Sequence, residues 1–337
     1  MDMHRAFLDD IIAHPDDDTP RLIYADWLDD NGDPSRAEFI RLQVDRGRGL
    51  SSWESTAREQ ELLNEHANRW TTSLFGRVHS VEFCRGFIEA VHVTAAEAGR
   101  FRLELSSLCL AFPLRRLRLD APTDDFMNHL VDRIATGELH LEQLDLDLDQ
   151  PEASWFERLL GLPQAARFRS LLIEHEHAST QWNRLLARLD QPGPFTQLTE
   201  LGIGFGTTND PIYPEVIEQL IASPYLSRLK KLHIPFSWFG VDGMRLLAHS
   251  PIREGLTHLD VGCCHIPLEG WKILAEGPAL ERLEWLGLIG AHVMMAESWQ
   301  NLREHEYGRL LTQRLKARAD YTTSSTFVTR QKGVPVK

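Results

Sequence analysis

The chain has 337 residues, 42% apolar and 25% charged, a composition typical of a folded protein and long enough for two domains or one elongated array. Its 36 basic and 49 acidic residues give a net charge of −13, which disfavours nucleic acid as a partner because such binding needs a basic face. The sequence has no run of about 18 apolar residues, the length needed to cross a membrane. The first residues also lack the apolar core of a secretory signal. Four cysteines without a CxxC pair are typical of a reducing compartment, so we expect a cytoplasmic protein.

Residues 1–75 show helical patterns and an acidic excess of sixteen Asp and Glu over eight Arg. Apolar pairs at helical spacing predict four helices, around residues 7–12, 22–28, 39–42 and 53–70. Asp33-Pro34 predicts an N-cap followed by proline at the first helical position. The pattern Asp29-x-Asn31-x-Asp33 lacks the glycine and the last carboxylate of a calcium loop, which favours capping and turn roles.

Asp26 lies on an apolar helical face. We expect it to form an ion pair with Arg36 or Arg41, and a catalytic carboxylate is the alternative.

Two motifs in this region are distinctive, PDDDTPRLIYADWL at 15–28 and RAEFIRLQ at 36–43. With the flanking residues, from about 4 to 45, they resemble the bacterial repeat-companion domain, a small module found beside repeat arrays. The resemblance implies a bacterial source and a neighbouring repeat array, and it implies no biochemical activity.

From residue 88 the pattern apolar-x-x-apolar-x-apolar recurs eight times. Its fourth positions, the anchors, are separated by 26 to 31 residues and are Val91, Leu117, Leu144, Leu171, Leu201, Leu232, Leu259 and Leu286. Alternation at the anchors predicts a strand, and apolar pairs between anchors predict a short helix. One strand and one helix cannot bury their apolar faces alone, so neighbouring units must stack.

This pattern resembles leucine-rich repeats of the ribonuclease-inhibitor-like subclass. The resemblance implies an α/β solenoid, a curved horseshoe with a parallel concave sheet and outer helices. The family's usual Asn or Cys five residues after the anchor is present only as Cys264, which we expect to bond the turn backbone.

We expect four parts along the chain. These are a small all-α domain over 1–75, a repeat array over 76–295, a capping helix over 296–318 that carries Trp299 and Leu310–Leu315, and a flexible tail over 319–337.

Two surfaces are candidate partner sites. The repeat register directs a charged strip to the concave face: Arg116, Arg118, Asp145, Asp147, Glu174, His233, Asp260 and Trp285. This strip suits a protein partner with a basic patch, and a merely solvated face is the alternative. Aromatic residues gather where strands end, beside an insertion at 206–214: Phe205, Tyr213, Phe236 and Trp238. Exposed aromatics favour binding, whereas packing within the loop layer is equally open.

Catalytic and metal signatures are weak. His175-x-His177 and Cys263-Cys264-His265 could suggest zinc, but three repeats, roughly 15 Å, separate them. No phosphate-binding loop or nucleophile elbow is present. We therefore expect a non-enzymatic interaction module (adaptor, scaffold or sensor) without cofactor or metal, and monomeric in isolation. The alternatives are a ligand sensor or regulatory subunit whose helical domain is the effector and, more distantly, a hydrolase using Asp145 and Asp147.

Overall fold

A computed structural model describes residues 3–148, 154–175, 180–191, 193–205, 212–277, 282–294, 299–315, 319–321 and 334–336. Packing divides the chain into two compact units. The first comprises Met1–Asp120, Asp132–Leu141 and Lys332–Lys337, and the second comprises Ala121–Val131 and Glu142–Gln331. The first unit therefore extends beyond residues 1–75 and includes the first two repeat strands.

The first unit begins with the four predicted helices, α1 (Met3–Ala13), α2 (Thr19–Asp30), α3 (Pro34–Gly47) and α4 (Trp53–Thr71). The predicted cap of α3 is confirmed, because the Asp33 side chain accepts a hydrogen bond from the Arg36 backbone N–H and Pro34 opens the helix. Asp26 forms its predicted ion pair with Arg41, at 2.7 Å.

A β-hairpin completes the core of these helices. Strands β1 (Ser80–Cys84) and β2 (Phe87–Val93) are antiparallel. The two residues between them, Arg85 and Gly86, have φ values of 48° and 88°, as a type I′ turn requires. Phe87 of β2 belongs to the same buried cluster as Tyr24 and Ile40 of the helices. The helices therefore do not close their hydrophobic core among themselves.

The rest of the first unit extends this hairpin into a small sheet. Helix α5 (Ala95–Ala111) leads to β3 (Arg116–Asp120), which pairs parallel with β2, as the first two anchors predict. Near the end of the chain, a strand at Val334–Pro335, numbered β13 below, pairs antiparallel with β1.

Two arginines have their charged groups enclosed within the first unit. The Arg36 guanidinium lies 4.6 Å from the Trp70 ring centre and 5.2 Å from that of Phe83, and it donates a hydrogen bond to the Gly86 carbonyl. Burial lowers the pKa of Arg36 to about 10. Arg36 is thus an aromatic-packed cation and not the partner of Asp26.

The second of these arginines, Arg21, forms an ion pair with Glu89 at 2.8 Å, and neither side chain reaches solvent to more than 3%.

The second unit is built on parallel strands. They are β4 (Gln143–Leu148), β5 (Ser170–His175), β6 (Glu200–Phe205), β7 (Lys231–His233), β8 (His258–Asp260) and β9 (Trp285–Gly287). Each anchor pairs with the anchor of the next strand, as Leu171 with Leu201 and Leu201 with Leu232. The predicted parallel sheet and its register are confirmed.

Helices alternate with these strands as predicted. They are α6 (Asp124–Ala135), α7 (Ser154–Leu160), α8 (Thr180–Ala187), α9 (Pro214–Ala222), α10 (Val241–His249) and α11 (Leu268–Glu276). From α8 to α11 each helix contacts the next. The anchors and the apolar helix faces are buried between the sheet and the helices. The opposite face of the sheet, which carries the alternate residues of each strand, is called the open face below.

The C-terminal region corrects two predictions. Trp299 lies on a strand, β11 (Trp299–Asn301), which pairs antiparallel with β10 (His292–Met294), so the capping helix does not include it. The helix α12 (Glu306–Leu315) does contain the predicted apolar stretch. Ala319–Asp320 forms β12 parallel to β9, and β13 is also paired, so these residues of the predicted tail form strands.

A left-handed turn recurs four residues after the anchor. The residues there are Ala121, Phe236, Cys263 and Gly290, with φ values from 50° to 59°. The last three of these turns follow the three-residue strands β7 to β9, whereas β4, β5 and β6 continue through this position as strands of six residues. Two strand lengths therefore coexist in one array. The residue after the Cys263 turn, Cys264, donates a hydrogen bond from its thiol to the Ile234 carbonyl of the preceding repeat at 3.0 Å, as predicted.

Replacing Cys264 by alanine is expected to lower the free energy of unfolding by about 1–2 kcal/mol, because the buried Ile234 carbonyl loses its partner. Replacement by serine keeps a donor at this position and should cost less. Urea unfolding of the two variants measures the difference. Equal destabilisation by alanine and serine would show that the thiol acts through packing alone.

Candidate functional site

The edge at which strands end and helices begin carries the most exposed aromatic side chains described in the second unit. Loops lead from β6 to α9, from β7 to α10 and from β8 to α11 at this edge. Trp238 and Tyr213 are each 43% exposed there. Trp155 and Trp271, in contrast, are at most 1% exposed within the same unit. Of these three tryptophans, only Trp238, at the strand-end edge, offers a large apolar surface to a partner.

An apolar pocket lies beside Trp238. Its volume is about 270 Å³, and its lining consists of Pro214, Trp238, Phe239, Gly240, His265, Ile266 and Pro267. Phe239 and Ile266 are buried and form its floor. Each lining residue is either one of the three residues before a helix or the first residue of a helix, so the helix starts of three successive repeats build the pocket.

Backbone hydrogen bonds fix the two loops that carry the pocket. The Phe239 N–H donates to the His265 carbonyl at 3.2 Å, and the His265 N–H donates to the Ser237 carbonyl at 3.0 Å. The Trp238 and His265 rings stack, with centres 5.8 Å apart and planes 18° apart. Trp238 is therefore held in place before any partner arrives, which reduces the entropy lost on binding.

The predicted aromatic residues have different surroundings. Tyr213 and Trp238 are exposed, and Phe236 is half-buried with a left-handed backbone. Phe205 ends β6, but its side chain lies outside the described set, as do residues 206–211 of the insertion and His177. The structure brings Trp238 and the start of α9, next to Tyr213, to one pocket.

The other walls of the pocket were not predicted from the sequence. Pro214, Gly240 and Pro267 were not singled out, yet they line it with Trp238. A signal was present, because Gly240 and Pro267 both lie eight residues after their anchors, Leu232 and Leu259. Small or rigid residues at the same position of successive loops leave space between those loops. Aligning the repeats on their anchors would therefore have indicated the pocket.

Carboxylates surround the helix side of the pocket. Glu215 and Glu269 are the second residues of α9 and α11, are exposed, and have no ion-pair partner among the described residues. The Glu218 carboxylate lies 3.9 Å from where a Cβ on Gly240 would stand. Asp242, at the same place in α10, is paired with Arg245 at 2.7 Å. The rim is thus acidic.

The predicted charged strip on the open face is largely covered at the positions one residue after each anchor. Asp145 and His233 are buried, and Asp260 is 0% exposed. Neighbouring side chains fold over glycines there: a Cβ on Gly287 would lie 2.2 Å from the Trp285 ring. In the second unit, the strip members with exposed surface lie three residues after or one residue before an anchor: Asp147 is exposed, and Glu174 and Trp285 are half-buried.

Glu200 is the centre of a polar cluster on the open face. Its carboxylate lies 3.3 Å from His233 Nε2 and accepts a hydrogen bond from the Ser170 hydroxyl at 2.9 Å. Burial opposes the charged form, but the hydrogen bond from His233, the nearby Lys231 charge and the Ser170 hydroxyl outweigh it and lower the pKa of Glu200 to about 2. A carboxyl held ionised in this way stabilises the fold and is poorly suited to proton transfer near neutral pH.

We expect this cluster to govern acid stability. Because the folded pKa of Glu200 lies below its ordinary value of 4.5, its contribution is complete above pH 4.5 and is lost as the pH falls toward 2. Glu200→Gln should therefore lower the free energy of unfolding by on the order of 2 kcal/mol near neutral pH, with the difference closing in acid. Urea unfolding across this pH range tests it, with Glu215→Gln as an exposed control. A difference independent of pH would contradict the assignment.

In the first unit the two predicted arginines are neutralised by neighbours on the sheet. Arg116 forms an ion pair with Glu82 at 3.0 Å. Arg118 forms one with Asp120 at 3.1 Å, and Asp120 also lies 2.6 Å from His92 Nε2. These cations keep part of their surface but offer no uncompensated charge.

Metal sites, membrane-spanning helices and a catalytic carboxylate pair are considered next in the described residues. Among the described residues, no group of three or more His, Cys, Asp and Glu side chains is placed to hold a metal ion. No helix in the described ranges combines the length and apolar character needed to cross a membrane. Asp145 and Asp147 do not form a carboxylate pair in a cleft, since Asp145 is buried beside the Gln143 amide and Asp147 is exposed.

Comparisons with known proteins give low structural similarity. No protein-family model matches the chain, and no curated protein matches its sequence. A chain in the crystal structure of the yeast Rad7 and Elc1 complex aligns with 92% of this chain and 94% of its own length, at 12% identity and a TM-score of 0.48. An internalin from Listeria monocytogenes aligns with 54% of this chain and 50% of its own length, at 14% identity and a TM-score of 0.32. At such scores neither protein's properties are transferred to this chain.

Proposed function

We propose that the chain is a non-enzymatic recognition module of the leucine-rich-repeat class that binds a protein partner at the strand-end edge around Trp238. The observation that carries this proposal is the apolar pocket beside a fixed, 43% exposed tryptophan. Tryptophans in pre-formed apolar surroundings are frequent binding hot spots. Keeping such a side chain in water costs stability that binding would recover.

The chemistry of the pocket favours a protein segment over a small molecule. A volume of about 270 Å³ is at the lower limit of the roughly 300–1,000 Å³ of pockets that enclose small ligands. Its only polar side-chain groups are the His265 ring and the Trp238 indole N–H, and these two rings stack on each other. Small-molecule and catalytic sites usually bring several polar groups together, and this pocket does not.

The experiment is affinity capture from the native host followed by mass spectrometry, with variants matched in kind. The edge variant is Tyr213→Ala with Trp238→Ala, and the control is Trp53→Ala, a tryptophan on α4 that is 78% exposed. A third variant, Asp147→Lys with Glu174→Lys, tests the open face without placing a lysine at buried Asp145. Thermal melting establishes that each variant is folded.

We expect a partner that the wild type and the Trp53 control retain and that the edge variant loses by at least about tenfold, as for a hot-spot truncation of about 1.4 kcal/mol or more. Loss with the open-face variant alone would move the binding surface to the sheet. Equal retention by all variants would refute both surfaces.

A further inference from the structure

We infer that the pocket takes a short basic segment of the partner, which inserts an apolar side chain beside Trp238 and carries lysine or arginine next to it. This inference rests on the proposed function and specifies the chemistry of the partner. It combines the apolar lining with the acidic rim, which are independent features of the same edge.

The apolar half of the inference follows from the pocket's shape. Pro214 and Pro267 line the pocket from different repeats, together with the buried side chains of Phe239 and Ile266. None of these four side chains can donate or accept a hydrogen bond, so a partner's polar side chain placed against them would lose its water with little compensation. An aliphatic, proline or aromatic side chain meets no such cost.

The charged half follows from the rim. Asp242 and Arg245 neutralise each other, which leaves Glu215, Glu218 and Glu269 against Lys272 of α11, an excess of two negative charges. The positive ends of α9, α10 and α11 reduce this field, but each amounts to only about half a charge and is felt within the first turn. The whole chain, at −13, adds a negative background that attracts basic segments.

The probe is an array of synthetic peptides with an apolar centre of Leu, Pro or Trp, flanked on both sides by Lys, Ser or Glu. Binding to the full chain is measured by fluorescence polarisation at low and high salt. We expect Lys-flanked peptides to bind about tenfold more tightly than Glu-flanked ones, because two or three exposed charge pairs contribute modestly each. Raised salt should shrink this preference, since exposed charges are screened.

Two variants of one helix provide the matched test. Glu269→Lys changes the first turn of α11 at the pocket rim, and Glu276→Lys makes the same charge change at the last residue of α11. We expect Glu269→Lys to reduce the Lys-over-Glu preference severalfold and Glu276→Lys to leave it almost unchanged. Adding Glu215→Lys to the first variant should reverse the preference.

The outcomes separate this inference from the proposed function. Peptides that need Trp238 but bind without a preference for Lys would overturn the basic-segment inference and leave the binding edge standing. Lys-flanked peptides that bind Trp238→Ala as well as wild type would show only attraction to the acidic chain and would also overturn the inference. If no peptide binds, a short basic segment is not the occupant, and the capture experiment decides separately on the edge.

Discussion

Gly86→Ala is expected to lower the free energy of unfolding by about 3–5 kcal/mol, because the added methyl group strains the backbone and also collides with a helix. Gly86 has a φ of +88°, a conformation that costs alanine about 1–2 kcal/mol. An added Cβ would lie 2.4 Å from Ile40 Cγ1 and 2.7 Å from Ile40 Cα. The second contact is with the backbone, so rotating the isoleucine side chain cannot relieve it.

The consequence is a displacement of the hairpin from α3. The Gly86 N–H donates to the Gln43 amide oxygen at 2.8 Å, and its carbonyl accepts from Arg36. Moving the turn would break both bonds and open the cluster that holds Phe87. Gly49→Ala is the control, because Gly49 has a φ of +74° but no atom within 4 Å of the added Cβ. We expect it to cost about 1 kcal/mol. Similar losses in guanidinium unfolding would show that backbone conformation, not packing against Ile40, sets the effect.

Removing Glu89 is the second large effect. Its carboxylate lies 2.8 Å from buried Arg21 and also within 3.3 Å of Arg85 and 3.9 Å of Arg115. Glu89→Ala would leave the Arg21 charge buried without its partner, and breaking such a pair typically costs about 3–5 kcal/mol. Burial already lowers the pKa of Arg21 even with Glu89 present.

Two comparisons make this second result interpretable. Arg41→Ala removes the more exposed ion pairs with Asp26 and Asp29 and should cost about 1 kcal/mol. The double replacement Arg21→Met with Glu89→Leu removes both charges and should recover much of the loss, because apolar residues of similar size need no desolvation. Denaturant unfolding gives all three values. A double variant as unstable as Glu89→Ala would indicate that the pair is needed for its geometry and not only for neutrality.

The repeat strands could be predicted because the same side of every strand must be buried. Leu171, Leu201 and Leu232 occupy the same place in their units, and parallel pairing aligns them directly. The exposure of the alternate residues could not be predicted in this way. It depends on whether the side chains of neighbouring strands are large enough to cover them, as Trp285 covers Gly287. For the same reason a charged side chain such as Asp260 can be fully buried on this face.

Other features lack a local signal in the sequence. Phe236 and Cys263 adopt the left-handed backbone conformation, which glycine and asparagine usually occupy, so their residue types do not predict these turns. Arg36 was expected as a possible ion-pair partner, but rings from α3, α4 and β1 converge on it only after the chain has folded. Strands of two residues, such as β12, are too short to show the alternation of apolar and polar residues that predicts a strand.

The pairing of these two-residue strands bears on self-association. An unpaired strand edge presents a row of N–H and C=O groups onto which the backbone of another molecule can add. In the second unit β12 occupies such an edge beside β9, with the Leu288 N–H donating to the Asp320 carbonyl. In the first unit β13 does the same beside β1. Each unit thus uses a late piece of chain to satisfy a backbone edge that would otherwise be open to a second copy.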